Sequence, residues 1–251
     1  MNGKPILWEV LTTADIPELV KNMKMAIVPL GAIEQHGPHL PMNCDTLLVH
    51  ELAKRVSAKT GVPILPPIEY GQSQAQGDFP GTISVNPDTL YKVLVEVCEW
   101  LYKCGIRKIL LLNGHGMNKG ATLMAQEYVS YRFPKDVQIK AITYWETNRE
   151  TMRIFCRSDL HQIANTHANI AETAMTMAIR PDLVKLDMVV DEPDIESFWY
   201  YRKDKITTTG TEGSGAGKAT LELGEEILGG IAAELIKWVE GALGEDTPKF
   251  R

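Results

Sequence analysis

Three short stretches of the chain concentrate the residues able to do chemistry. The first is GAIEQHGPHLPMNCD, residues 31–45, which holds Glu34, His36 and Asp45. Glu34 and His36 are two apart, and in extended backbone residues two apart point the same way. A carboxylate and an imidazole converging like this suit a borderline divalent cation. Asp45 returns after a proline-pinned loop, where a helix begins. Alone, Asp45 reads as a helix N-cap and His36 as a hydrogen-bonded histidine. A Glu, a His and an Asp together at the end of one buried strand point instead to metal ligands. The second stretch, Asn113-Gly114-His115-Gly116, sets a histidine in a tight turn with glycines on both sides, which let backbone and ligand come close. The third, HANIAET (167–173), places Glu172 on a helix face of small residues, where a buried carboxylate needs a partner such as a metal. An exposed helical glutamate is the plainer alternative.

These stretches have to be brought together by the elements around them. Met25–Leu30 is a short apolar run ending at Gly31, as a buried parallel strand should read. Lys108–Leu112 is the most strand-like segment, and Val137–Trp145 is another. Val62–Ile68 reads as a strand broken by prolines, and Thr82–Val85 as a short one. Helices are expected from Asp45 to Lys59, Pro87 to Cys104, Met117 to Tyr131, His167 to Ile179 and Ala219 to Val239. Thr147–Gln162 is poorly patterned. Lys185–Ala216 reads as irregular and polar, and its Tyr200–Lys205 part is a candidate to line the space above a metal pair. Strands alternating with helices predict a single three-layer α/β/α domain over residues 1–251 with a mostly parallel sheet. In such folds function gathers at the carboxyl ends of strands. The segments after Leu30 and Leu112 occupy that position.

Composition narrows the class. The chain has 251 residues, 44% hydrophobic and 23% charged, with a formal net charge of −6. That balance argues against nucleic-acid binding. A core of this size needs no structural metal, so a metal here is expected to be catalytic. Four scattered cysteines (Cys44, Cys98, Cys104, Cys156) fit buried thiols in a reducing compartment. The N-terminus does not read as a signal peptide and no stretch approaches a membrane span, so a cytoplasmic, non-membrane protein is expected. The segment GTEGSGAGK (210–218) lacks P-loop spacing, and Ser73 lacks a nucleophile elbow.

The stretches PLGAIEQHGPHLPMNCDT (29–46), YGQS and FPGTISV (within 70–85), LLNGHGMNKG (111–120) and HANIAET (167–173) resemble the creatininase family, the creatinine amidohydrolases. The resemblance implies one α/β domain with a two-metal site. It implies that Glu34, His36, Asp45 and His115 are ligands, with Asp45 shared between the ions. It also implies a homo-oligomer, often a hexamer. His167 matches a histidine near the substrate, Ser73 a substrate-contacting serine and Trp145 an active-site tryptophan. Three departures stand out. Met117 replaces a metal-binding glutamate, which leaves Glu172 as the ligand for the second metal. Gln74, Gln76 and Asp78 stand where a histidine is usual before the FPGT segment, and Gln76 becomes a candidate substrate contact. The helix motif reads HAN rather than HAG.

The expected chemistry is that of a two-metal hydrolase. Two divalent ions (Zn, Mn or Fe) would bridge a hydroxide formed near neutral pH, and the hydroxide would attack a carbonyl. His167 is the candidate general acid. The substrate would be a small polar molecule, a cyclic amide or formamide. One alternative is a C–C bond hydrolase acting on a cyclic polyol ketone with the same site. A second is a non-catalytic metal-binding protein with a degenerate site, suggested by Met117. A third is a metal-independent enzyme using Cys44 or Cys156, which lack a recognisable His/Asn pattern.

Overall fold

Every residue of Met25–Leu30 is buried, as a strand covered on both faces requires. It forms β1, beside β2 (Lys108–Asn113) and β3 (Gln138–Thr143). In this computed structural model, which describes residues 3–156, 167–192 and 202–246, the strands run in the order β1-β2-β3. Both pairings are parallel, with Ala26 opposite Ile109 and Ile109 opposite Ile139.

Alternation along the strands divides the core in two. Met25, Ile27, Leu110 and Leu112 face one way, into a cluster with residues of α2 (Cys44–Thr60), α6 (Ile170–Ile179) and α7 (Leu221–Gly244). Ala26, Val28, Leu30, Ile109 and Leu111 face the other way, against α3 (Pro87–Lys103) and α4 (Lys119–Arg132). The result is the expected α/β/α layering. Two shorter helices, α1 (Ile16–Asn22) and α5 (Arg149–Cys156), complete the set among the described residues. No helix there is long and apolar enough to cross a membrane.

Several boundaries differ from expectation for identifiable reasons. Val62–Ile68 is not a regular strand. It follows β1 in parallel through isolated bridges at Ile64 and Ile68, because Pro63, Pro66 and Pro67 have no N–H to give a ladder. Thr82–Val85 contributes a single antiparallel bridge, Ile83 to Ile33. α5 forms inside the stretch without clear patterning. α4 begins at Lys119, after a 3-10 turn over Gly116–Asn118. α7 starts at Leu221, where the Thr220 hydroxyl accepts the Leu223 N–H at 3.1 Å. α6 starts at Ile170 rather than His167. Asn169 caps it, accepting the Glu172 N–H at 2.9 Å, while Glu172 Oε2 accepts the Asn169 N–H at 3.2 Å. Tyr200 and the side chain of Cys156 lie outside the described residues, so only part of the Tyr200–Lys205 region is described.

Candidate metal centre

The loop after β1 folds back on itself. Glu34 N–H donates to Met42 O at 2.8 Å, and Ile33 pairs with Ile83. This returns the chain to start α2 beside the strand ends, with Asp45 in the first helical turn. Asp45 is therefore not the cap; Asn43 holds that position. Two glycines permit the close approach. A Cβ on Gly31 would meet Thr46 Cα at 2.5 Å, and one on Gly114 would meet Val49 Cβ at 2.7 Å and Asp45 O at 2.9 Å. With Gly114 bare, β2 delivers His115 directly onto α2. The Asn113 side chain holds that turn, donating to His115 O at 2.7 Å and accepting the His115 N–H at 3.1 Å.

Asp45 stands between two groups of donors. Its Oδ2 lies 2.9 Å from His115 Nδ1, and its Oδ1 lies 3.4 Å from His36 Nε2. Glu34 Oε2 is 3.1 Å from His115 Nε2, and Glu34 Oε1 is 3.5 Å from His167 Nε2. Glu172 Oε1 is 4.0 Å from His36 Nε2, and the rings of His36 and His167 sit 4.3 Å apart. The donors fall into two sets, Glu34–Asp45–His115 and His36–His167–Glu172. All are buried except His167, which is half-buried.

Among the described residues, Glu34 Oε2, Asp45 Oδ2 and His36 Nε2 are buried without a hydrogen-bond partner. Two of these atoms lie within about 3 Å of a histidine nitrogen without forming a well-aligned hydrogen bond to it. Buried polar atoms are otherwise almost always paired. The two ring orientations are also fixed from behind. His36 Nδ1 sits 3.1 Å from Glu34 O, and His115 Nε2 sits 2.8 Å from Gln72 O. A ring N–H donated to each carbonyl leaves the opposite nitrogen with its lone pair, as metal-bound histidines are arranged. The donor set of carboxylate oxygens and imidazoles fits divalent Zn, Mn or Fe.

Electrostatics point the same way. Burial pushes Glu34 upward and Glu172 up to about 7. Burial works to lower His36, yet the neighbouring carboxylate of Asp45 raises it to about 10; His115 is raised to about 9, with Glu34 and Asp45 overcoming burial. Asp45 is depressed because His115 and His36 outweigh its burial. Protein groups alone balance this pocket by holding protons on histidines, where cations would serve better.

His167, Ser73, Gln76 and Trp145 have distinct settings. His167 Nε2 donates to Gln35 O at 2.6 Å, and burial together with His36 holds its pKa well below the usual value. Ser73 Oγ is fully buried, 3.3 Å from His115 Nε2. Gln76 Oε1 accepts Gln35 Nε2 at 2.7 Å, and the same Nε2 donates to Gly210 O at 3.0 Å. Trp145 is half-buried, stacked on Phe155 with centroids 5.2 Å apart. Met117 lies half-buried in the turn after His115. Cys44 is buried beside Thr176, and burial, followed by the charge of Glu172, keeps its thiol protonated. That environment does not suit a nucleophile.

Two features were not anticipated from sequence. Ala168 adopts φ 55°, a left-handed conformation that costs a non-glycine residue roughly 1–2 kcal/mol. It lies between His167 and the Asn169 cap, and strain of this kind concentrates at functional sites. Tyr144, fully buried, has a hydroxyl with no hydrogen-bond partner among the described residues. Its position at the carboxyl end of β3 was the available signal.

A family model described as creatinine amidohydrolase matches residues 9–239. The chain belongs to the creatininase family. A creatinine amidohydrolase of Pseudomonas putida is 33% identical over 184 residues, 66% of this chain and 68% of the relative. A 3-dehydro-scyllo-inosose hydrolase of Thermotoga maritima is 27% identical over 273 residues, 98% of this chain and 85% of the relative. A solved structure described as a manganese creatininase superposes with a TM-score of 0.82 at 27% identity, covering 96% of this chain and 100% of that one. This creatininase-family chain is thus a hydrolase on the α/β/α scaffold that its sequence predicts. The non-catalytic alternative falls with that finding.

Proposed function

We propose that the protein is a two-metal hydrolase of a small polar carbonyl compound, a cyclic amide or formamide. The observation that carries the reading is Asp45, whose two oxygens face separate donor groups. Glu34 and His115 would complete one site with Asp45. His36 and Glu172 would complete the other, with Glu172 taking the part that Met117 cannot. When bound, such a metal pair supplies a polarised carbonyl and a water whose pKa falls toward ~7.

The protein groups do the rest. The Gln72 and Glu34 carbonyls set the imidazole tautomers of His115 and His36. The carbonyl of Gln35 holds the proton on His167 Nε2, leaving Nδ1 as the basic atom. A neutral imidazole there accepts a proton from the attacking water and returns it to the leaving nitrogen, so His167 acts as the acid after first acting as the base. Ser73 steadies His115 and Glu34. Gln76 and Trp145 are the proposed substrate contacts, Gln76 by hydrogen bonding and Trp145 by its indole face.

A second substrate class has a specific observation in its favour. The dehydro-inosose hydrolase matches 98% of this chain, which supports C–C bond hydrolysis of a cyclic polyol ketone by the same donors. We extend the reading to a homo-oligomer of one-domain chains working in the cytoplasm. The test is metal analysis with an activity screen across lactams, formamides and cyclic ketones. About two equivalents of Zn, Mn or Fe per chain, with turnover lost to a chelator and restored by metal, is the expected result. Turnover that persists in the metal-stripped protein would end the proposal.

A further inference from the structure

α4 carries apolar residues on two sides. Ala121, Ala125 and Val129 are buried toward the sheet. Leu123, Met124, Tyr128 and Tyr131 face outward, 51%, 57%, 42% and 84% exposed. Met124, Tyr128 and Tyr131, four and three residues apart, lie in one stripe along the helix, with Leu123 next to Met124. Tyr91 of α3 borders the stripe, edge-on to Tyr128 at 6.0 Å. A groove of about 540 Å³ runs here, with Glu127 and Arg132 also in its lining. Contiguous exposed apolar surface of this kind marks an interaction site.

We propose that this stripe seats a second copy of the same chain, with the two α4 helices antiparallel about a two-fold axis. The inference rests on the homo-oligomer reading and deepens it by naming the contact. Charge favours a second copy over a different partner. Glu127 and Arg132 have opposite signs and no ion-pair partner among the described residues. A two-fold axis level with Val129 and Ser130 sets Glu127 against the partner's Arg132, and Arg132 against the partner's Glu127. The same axis sets Tyr128 against the partner's Tyr131. A self-complementary patch is what a two-fold contact demands.

The test is sedimentation equilibrium of the full, metal-loaded chain. The expected result is an assembly whose mass falls to half in Tyr131→Glu, with Tm and far-UV circular dichroism unchanged. Glu127→Arg and Arg132→Glu should each raise the dissociation constant roughly tenfold or more, and the double reversal should recover it. An assembly that keeps its mass in Tyr131→Glu overturns this contact and leaves the homo-oligomer reading standing. A wild-type chain that is monomeric at every concentration overturns both.

Discussion

The two faces of the sheet are made by the same three strands and carry opposite burdens. On the α2–α6–α7 side, the core residues Cys44, Ala168 and Ala171 sit next in sequence to Asp45, His167 and Glu172. Buried carboxylates and imidazoles press against aliphatic packing there. On the α3–α4 side the core is Leu90, Leu94, Leu111, Ala125, Val129 and their neighbours. Neither α3 nor α4 contributes a proposed metal ligand. Burying charge costs stability unless it is compensated, so the first face carries a cost for its chemistry that the second does not. Substitutions on the two faces should then separate activity from stability.

The largest expected effect is that of Asp45→Asn, which leaves one face of the donor set without its shared carboxylate. It should lower kcat/KM by at least ~10³-fold and bound metal by more than half. Circular dichroism should still report the native fold. Kinetics and elemental analysis of the same preparation check this. Wild-type metal content in the variant would show that the two donor groups do not share an ion-binding carboxylate.

Leu111→Ala tests the other face. Leu111 is fully buried against α3 and α4. Its truncation should cost about 2–5 kcal/mol of unfolding free energy. The kcat of the folded, metal-loaded fraction should stay within about twofold, because no donor touches that side. Urea titration and active-site counting measure both quantities. A collapse of kcat with full metal occupancy would erase the proposed division between the faces.

pH sharpens the contrast further. His36 and His115 are raised from about 6.5 to about 10 and about 9. A raised imidazole contributes stability that is complete below its unfolded pKa and lost as pH climbs through the folded one. Glu172, raised to about 7 by burial, acts in the same direction over a lower range. The chelated protein should therefore lose stability between about pH 6.5 and 10. Metal must displace the same protons, so its affinity should rise across that window. Tm of chelated and loaded protein, recorded from pH 6 to 10, should diverge steadily. Parallel curves would mean that these histidines do not meet the metal. Leu111→Ala should shift both curves equally, since Leu111 packs on the side of the sheet away from the proposed donors.

Much of the functional face was legible because its residues are rare types at strand ends. Spacing and family likeness single out Glu34, His36, Asp45, His115 and Glu172, and the fold brings them into one pocket. β1 was legible to the residue because a run buried on both faces is unbroken apolar sequence. Local chemistry was harder to read. Asn169 and Glu172 form a capping box, a signature available in the letters NIAE, yet helical spacing alone drew the helix back to His167. Proline content hid how weakly 62–68 would pair. Ala168 gave no signal at all, since nothing in an alanine marks it for positive φ. Tyr144 was obscured by its neighbour Trp145, the more obvious aromatic at that strand end.

Tyr144 supplies the smallest and most discriminating effect. Its hydroxyl is fully buried and has no hydrogen-bond partner among the described residues. Burial, followed by the negative charges of Glu172 and Asp45, pushes its pKa far up, so it remains a donor at any working pH. The charges that raise it belong to two of the proposed metal-site carboxylates. A buried donor left unpaired costs about 1–3 kcal/mol, so such a group persists when it has work to do. Groups that steady metal ligands from behind typically change metal affinity about 10-fold or more when removed. Tyr144→Phe should weaken metal binding at the low end of that range and raise the Tm of the chelated protein by a few degrees. Calorimetric titration with Mn or Zn, paired with a thermal melt, reads both. A higher Tm with unchanged affinity would make the hydroxyl a packing accident, and the functional face would then end at the metal ligands themselves.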